Sequence, residues 1–335
     1  MAATSRPLHI ISTHAKCFDG AAAAVILERH CVSARMDFVT VPHVWGKSYL
    51  REFGAYLHQR TRVIILMFDV APDEELVDAI FHMPQVILVC GDHHIGQKQY
   101  LDRLSGLGHA RIQVTFDNTV SGAQLAWDWV AKARNGSMDD IGILMDGPDS
   151  LSSRLLHVVC MADLWKHKGN PELEAVDASL RMLHNPDVPT MTRLLTSDGA
   201  YGTLLHEGPI CLRIKESMSR DLLQRGKTYR LQPQAVAMIR KVGAVMADDC
   251  TVFYVQGTPH LSSEMAFMHN AADLVWIWSK IESAPFKRYT VAVRRGRDSD
   301  IRCDMVALAL GGGNGHAEAA GMAFDSEPLH FLSHV

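Results

Sequence analysis

The sequence has few cysteines, and none of them are paired along the chain. Seven cysteines, an odd number, are scattered over 335 residues without a Cys-x-x-Cys pair. This pattern excludes a framework of disulfide bonds. We therefore expect the protein to work in a reducing compartment.

Long apolar runs are also missing. No stretch reaches the length needed to span a membrane. The apolar segment that follows Arg6 is about six residues long, which is too short for the core of a signal peptide. We expect a cytoplasmic protein without a membrane partner.

Excess positive charge is the third absence. The chain has 33 Lys and Arg against 37 Asp and Glu, and a formal net charge of -4. Such a surface does not provide a long electrostatic track for duplex nucleic acid. Small anionic substrates stay compatible, provided that metal ions and a few arginines supply positive charge locally.

The first half of the sequence alternates between apolar strands and helices. Strands are predicted at Leu8–Ser12, Arg62–Phe68, Gln85–Cys90 and Arg111–Phe116. Helices are predicted at Gly20–Arg29, from Pro72 onwards and at Ser121–Ala133, with Ser121 as the N-cap. Strands without polar alternation, interleaved with helices, indicate a parallel sheet that is covered on both faces. The length of the chain favours two domains.

The second half has a different pattern. We predict a long amphipathic helix at Leu204–Arg225, a strand at Thr251–Val255, a helix at Glu264–Ser279 and a strand at Tyr289–Arg294. These elements form a second α/β unit, which closes on a glycine-rich segment at the C-terminus.

Three strands of the first half end in candidate metal ligands. His14 and Asp19 follow the first, Asp69 follows the second, and Asp92-His93-His94 follows the third. Ligands bind at the carboxyl ends of parallel strands, so these side chains should meet. Carboxylates with imidazoles suit Mn, Mg, Co or Zn, and a shared carboxylate can hold two ions about 4 Å apart. Such pairs activate water and hydrolyse phosphate esters.

The order of these motifs resembles the DHH phosphoesterase superfamily, with its DHH-associated C-terminal domain. The four motifs are His14-Ala-Lys-Cys17-Phe-Asp19-Gly20, Phe68-Asp69 with Pro72, Gly91-Asp92-His93-His94, and Ala162-Asp163-Leu164-Trp165. The resemblance covers nearly the whole chain. It implies a parallel-sheet DHH domain at 1–195, a linker helix at 196–230 and a smaller α/β substrate-binding domain at 231–335, with the active site in the cleft.

The resemblance also implies roles for individual residues. One divalent ion would be bound by His14, Asp69 and the Cys17 position, and the other by Asp19, Asp69, His93 and Asp163. His94 would face the scissile phosphate. We expect Asp92 to orient a histidine ring rather than to bind metal.

The C-terminal segment resembles the glycine-rich substrate loop of the same family. It contains Gly311-Gly312-Gly313 and His316 followed by Ala319-Ala320-Gly321, and Arg294 lies where relatives place a phosphate-binding arginine. Gly312 and Gly313 would let backbone N–H groups approach a phosphate. We expect the Ala-Ala-Gly segment to begin a helix.

Cys17 departs from the family pattern, because many relatives have an aspartate there. A thiolate would favour a softer ion such as Zn, whereas a neutral thiol would leave the first position weakly occupied. Both alternatives stay open from the sequence.

The expected activity is hydrolysis of very short oligonucleotides or dinucleotides to mononucleotides, with two ions, most simply Mn. The alternatives are a phosphatase of adenosine 3',5'-bisphosphate, a cyclic dinucleotide phosphodiesterase, and a nucleotide-binding sensor that has lost catalysis. The sequence leaves the oligomeric state open, with a homodimer as one candidate.

Overall fold

The computed structural model describes residues 6–43, 47–58, 62–136, 151–258, 271–280, 289–296 and 299–335, and the shorter pieces 138, 141, 143, 261, 265–266 and 268–269. The chain divides into two compact units, residues 1–208 and 209–335. Within the described residues, no helix combines the length and the apolarity that crossing a membrane requires.

The first unit is built on a five-stranded sheet in which every pairing is parallel. The spatial order is β2-β1-β3-β4-β5. The strands are β1 (Leu8–Thr13), β2 (Asp37–Thr40), β3 (Val63–Phe68), β4 (Val86–Asp92) and β5 (Ile112–Phe116). The predicted α/β class with a parallel first sheet is confirmed.

Helices of the first unit cover both faces of this sheet. They are α1 (Phe18–Ser33), α2 (Tyr49–Leu57), α3 (Glu74–His82), α4 (Lys98–Gly106), α5 (Gly122–Ala133), α6 (Leu151–Asp163), α7 (Pro171–Leu183) and α8 (Val188–Thr196). Along β3, Leu66 packs in the core with α1 and α5, whereas Ile65 and Met67 pack in the core with α2, α3 and α4. Apolar side chains on both faces explain why the strands lack polar alternation.

Helix α9 (Ala200–Leu223) runs from the first unit into the second, where a seven-stranded mixed sheet follows. Its order is β10-β11-β9-β8-β7-β6-β12. The strands are β6 (Lys227–Leu231), β7 (Thr251–Gln256), β8 (Leu274–Lys280), β9 (Tyr289–Arg295), β10 (Asn314–Gly315), β11 (Ala319–Phe324) and β12 (Leu332–His334), and the helices are α10 (Pro233–Lys241) and α11 (Cys303–Gly311).

The helix predicted at Glu264–Ser279 is wrong over its second half, which forms strand β8. Trp276 packs in one core of the second unit, and its neighbours Val275 and Ile277 pack in the other, on the opposite face of the sheet. A continuous apolar run buried on both faces does not reveal its period, so the pattern alone could not separate helix from strand.

The helix expected from Ala319-Ala320-Gly321 is also wrong, because these residues begin strand β11. The small side chains serve the sheet, where Ala320 pairs with Val293 and Gly321 with Ala292 of β9. Helix α11 instead ends just before this segment, with Gly312 in the left-handed conformation (φ 60°) that often terminates helices at glycine.

Candidate metal centre

The ends of β1, β3 and β4 lie side by side at one edge of the first sheet. Thr13 pairs with Phe68, and Phe68 pairs with Gly91. His14, Asp69 and Asp92 therefore occupy neighbouring positions along this edge. The structure thus brings together the candidate ligands that the sequence distributes over three separate segments.

Asp69 occupies the centre of this edge. Its backbone has a positive φ of 63°, which non-glycine residues adopt rarely and which often occurs at functional sites. Its N–H donates to the Gly91 carbonyl at 3.0 Å. The buried carboxylate lies between two imidazoles, with Oδ1 3.1 Å from His93 Nε2 and Oδ2 4.0 Å from His14 Nδ1. One carboxylate therefore faces donors on two sides.

Asp19 reaches the same point from the first turn of α1. Its carboxylate accepts a hydrogen bond from the N–H of Ala123, in the first turn of α5, at 3.2 Å. The positive end of the α5 dipole favours a negative charge there. Ser121 caps α5, since its side chain accepts from the Gln124 N–H, as the sequence predicted.

Gly122 was missed by the sequence analysis. A Cβ at this position would lie 2.4 Å from Asp69 Cβ and 2.9 Å from Asp19 Oδ2. Only glycine therefore allows α5 to begin directly against the two carboxylates. A glycine immediately after an N-cap serine was the available signal, but it indicates close packing only once the neighbouring strand is known.

His93 is fully buried among three carboxylates. Its Nε2 lies 3.1 Å from Asp69, 3.3 Å from Asp163 at the end of α6, and 3.9 Å from Asp19. Burial opposes the charged form, but Asp163, Asp69 and Asp19 together raise the pKa of His93 to about 10. Burial and the charges of Asp163 and Asp69 likewise raise the pKa of Asp19. The cluster therefore favours an added positive charge.

Asp92 orients the last histidine of the motif. Its buried Oδ1 accepts hydrogen bonds from the backbone N–H groups of His93 and His94, and from His94 Nδ1 at 2.7 Å. Burial opposes ionisation of Asp92, but the charge and hydrogen bonds of His94 hold its pKa below the usual value. Asp92 is thus fixed as a carboxylate that holds the His94 ring.

Two of the donor groups contain residues expected to bind the two ions. His14, Cys17 and Asp69 form one, and Asp19, His93 and Asp163 form another, with the atoms of each group within 4.8 Å of one another; Asp69, Asp92, His93 and His94 form a further group. Asp69 Oδ2 is buried and accepts no hydrogen bond within the described part of the chain. Mutually repelling carboxylates with an unsatisfied oxygen fit a divalent cation.

Arg181 on α7 is a second residue that the sequence analysis missed. Its Nε donates to Asp177 at 2.7 Å. The Asp177 carboxylate raises the pKa of Arg181, and the charges of Cys17 and Asp163 add to that effect. A cation therefore lies in the field of the metal centre. No sequence signal marked it, because Arg181 lies beyond the fourth motif in an ordinary amphipathic helix.

The second unit holds the other predicted residues in one corner of its sheet. Arg294 pairs with Ala319 across β9 and β11, and its guanidinium donates to the Val293 and Ala320 carbonyls at 2.9 and 3.3 Å. His316 lies in the turn before β11, where its N–H donates to the Ala319 carbonyl.

Close packing against β11 explains two of the glycines in this corner. A Cβ on Gly313 would lie 2.0 Å from the Gly321 carbonyl oxygen, and one on Gly311 would lie 2.6 Å from Met322 Cβ. The run therefore lets the end of α11 pack against β11.

Solved structures resemble this chain over nearly its whole length. RecJ from Thermus thermophilus in complex with Mn²⁺ superimposes with a TM-score of 0.52 at 15% identity, over 95% of this chain and 49% of that one. The chain has the DHH fold. It spans about half the length of this RecJ, whose DHH fold it shares from the first unit into the second.

Two further solved structures resemble the chain more weakly. An exopolyphosphatase-related protein from Bacteroides fragilis shows 11% identity and a TM-score of 0.46, over 97% of this chain and 89% of that one. The pGpG-specific phosphodiesterase PggH from Vibrio cholerae shows 13% identity and a TM-score of 0.39, over 95% and 93%. No protein-family model matches the sequence, and no curated protein matches it either.

Proposed function

We propose that the protein is a metal-dependent phosphoesterase that hydrolyses phosphodiester bonds in very short oligonucleotides or dinucleotides. The position of the Asp69 carboxylate between His93 and His14 is the observation that carries this proposal. A carboxylate that serves two donor groups is the arrangement that two-ion phosphoesterases need. The DHH fold that the chain shares with a Mn²⁺-bound RecJ is compatible with it.

The chain's own residues would divide the work as follows. Asp69 bridges the two positions, His14 and Cys17 complete the first, and Asp19, His93 and Asp163 complete the second. Two divalent ions, most simply Mn²⁺, would supply an activated water and neutralise charge on the phosphoryl oxygens. Arg181 adds positive charge from α7.

His94 has a separate role next to the ions. Burial lowers the pKa of this imidazole, but the charge and hydrogen bond of Asp92 outweigh burial and raise it. When it is protonated, the ring can donate a hydrogen bond to a phosphoryl oxygen as negative charge develops on it. Asp92 therefore positions His94 and favours its protonated form.

Substrate binding is assigned to Arg294, Gly312, Gly313 and His316 in the second unit. The net charge of -4 disfavours a long nucleic-acid track, so the substrate should be small. A phosphate that carries one or two nucleotides is small and offers the anionic group that these residues would bind.

An assay with defined substrates tests the proposal. The purified protein with Mn²⁺ is incubated with labelled RNA of two to about 24 nucleotides, cyclic dinucleotides and adenosine 3',5'-bisphosphate. We expect the fastest turnover with the shortest linear strands. Preference for the bisphosphate or a cyclic dinucleotide would replace the substrate assignment. Binding without turnover of any substrate would favour a sensor and contradict the enzyme proposal.

A further inference from the structure

The two candidate ion positions differ in the chemistry of their donors. The second position, Asp19, His93 and Asp163, offers carboxylate oxygens and an imidazole. The first, His14, Cys17 and Asp69, offers an imidazole, a sulfur and a carboxylate oxygen, all within 4.8 Å. Thiolate ligands select softer ions, and carboxylate-rich sites suit harder ones. The two positions are therefore not equivalent.

Cys17 faces charged groups and not the apolar core. It precedes α1 as the N-cap residue, directly between His14 and Asp19 in the chain. Its Sγ lies within 4.8 Å of the donor atoms of His14 and Asp69, and the charges of Asp69, Asp163 and Asp19 act on the thiol. The chain's other six cysteines are all buried, whereas Cys17 is half-buried at the sheet edge. A cysteine that only filled space in the core would not need to lie beside these charged groups at the sheet edge.

Asp69 provides an independent indication of an ion at the first position. Its Oδ2 points toward His14 and belongs to a side chain that is 1% exposed, yet it accepts no hydrogen bond from the described residues. Leaving a buried carboxylate oxygen unsatisfied is costly, and a cation beside His14 and Cys17 would satisfy it.

We propose that the position formed by His14, Cys17 and Asp69 binds a thiophilic divalent ion such as Zn²⁺ through the Cys17 sulfur, so that the centre holds two different ions. The harder ion, Mn²⁺ or Mg²⁺, would occupy the position of Asp19, His93 and Asp163. This inference rests on the proposed two-ion centre, and it names the ion class of one half. The sulfur, on this view, is a ligand and not a defect in the motif.

Cobalt titration of the full chain tests the proposal without an activity assay. Co²⁺ bound by a thiolate gives a charge-transfer absorption in the near ultraviolet, which oxygen and nitrogen ligands do not give. We expect this absorption in the wild type and its loss in Cys17→Asp and Cys17→Ser. Cys160→Ala is the matched control, because Cys160 is also near Asp19 but accepts from Ser121 and belongs to neither donor group. It should keep the absorption.

Competition between ions provides the second measurement. Replacing sulfur with oxygen in Cys17→Asp should lower the preference for Zn²⁺ over Mn²⁺ at one site by at least about tenfold. Circular dichroism establishes whether each variant is folded. If Cys17→Asp does not fold, the same competition is measured with Cys17→Ser.

The outcomes separate this proposal from the proposed function. A wild type saturated with Co²⁺ that lacks the absorption, or variants that keep it, would overturn the sulfur ligand even if the protein hydrolyses RNA dimers. If the absorption is present in a protein that hydrolyses no substrate, the result would support the Cys17 sulfur as a ligand and contradict the proposed enzymatic activity.

Discussion

The edge of the first sheet and the corner of the second sheet both carry motif residues, but their polar groups are satisfied differently. At the first, the carboxylates of Asp69 and Asp163 lie within 3.3 Å of one buried imidazole and raise its pKa. At the second, Arg294 donates to backbone carbonyls, and Gly313 packs against the Gly321 backbone.

The difference shows which motif needs a ligand to explain it. Packing within the second unit accounts for the glycines and holds the arginine, whether or not a phosphate binds. No packing requirement accounts for several buried acids around one histidine. Charge repulsion at the first site is relieved when a cation binds, so this region should respond strongly to ions and pH, and the second should not.

The largest expected effect is on turnover. Asp69→Asn removes the charge shared by both ion positions and should reduce kcat/KM by about 10³-fold or more, or about 4 kcal/mol. Asp117→Asn is the control, because Asp117 follows β5 at the same edge but its carboxylate accepts hydrogen bonds from Thr119 in its own turn. Equal activity of the two variants on RNA dimers would show that Asp69 takes no part in catalysis.

The next effect is the pH dependence of the ion-free protein. The pKa of His93 is raised from about 6.5 to about 10, so its contribution to stability is complete below pH 6.5 and is lost as the pH rises toward 10. The raised pKa of Asp19 acts in the same direction. Urea unfolding of chelated protein should show a loss on the order of 3 kcal/mol over this range. A flat profile, or one shared by His93→Gln, would contradict the electrostatic account.

Ion binding should stabilise the first unit. At 100 times its dissociation constant, an ion that binds only the folded state adds about 2.7 kcal/mol, or about 5 to 10 °C in Tm for a unit of this size. Calorimetry should show the shift in the wild type and in Arg294→Met, and not in Asp69→Asn. If the shift were also lost in Arg294→Met, the two regions would not differ in their response to ions.

The smallest effect concerns the close approach at α5. Gly122→Ala should destabilise the protein by about 1–3 kcal/mol and weaken ion binding, since the new methyl group would displace Asp69. Gly54→Ala in α2 meets nothing within 4 Å and should be neutral or stabilising by up to about 1 kcal/mol. Ion affinities measured by calorimetry distinguish the two, and an unchanged affinity in Gly122→Ala would contradict the packing argument.

Several site features were predictable because they depend on short segments. Ser121 was predicted as an N-cap from its position before an apolar periodic run, and strands β1, β3 and β4 from unbroken apolar residues. Strand β8 was not, since an apolar run buried on both faces has no visible period. Gly122 was missed because it packs against Asp69 and Asp19, which both lie more than fifty positions away in the chain. Arg181 was missed because only the tertiary structure brings it into the field of Cys17.

The sequence by itself determined the α/β class, the strands whose ends carry polar residues, and the types of ligand available to an ion. These depend on apolar periodicity and on side-chain chemistry, which are local. Only the tertiary structure decided that Asp69 lies between His14 and His93, that Asp92 holds His94, and that Cys17 shares a donor group with His14 and Asp69. Those relations depend on the register of parallel strands and on helix packing, and both are set by contacts between distant segments.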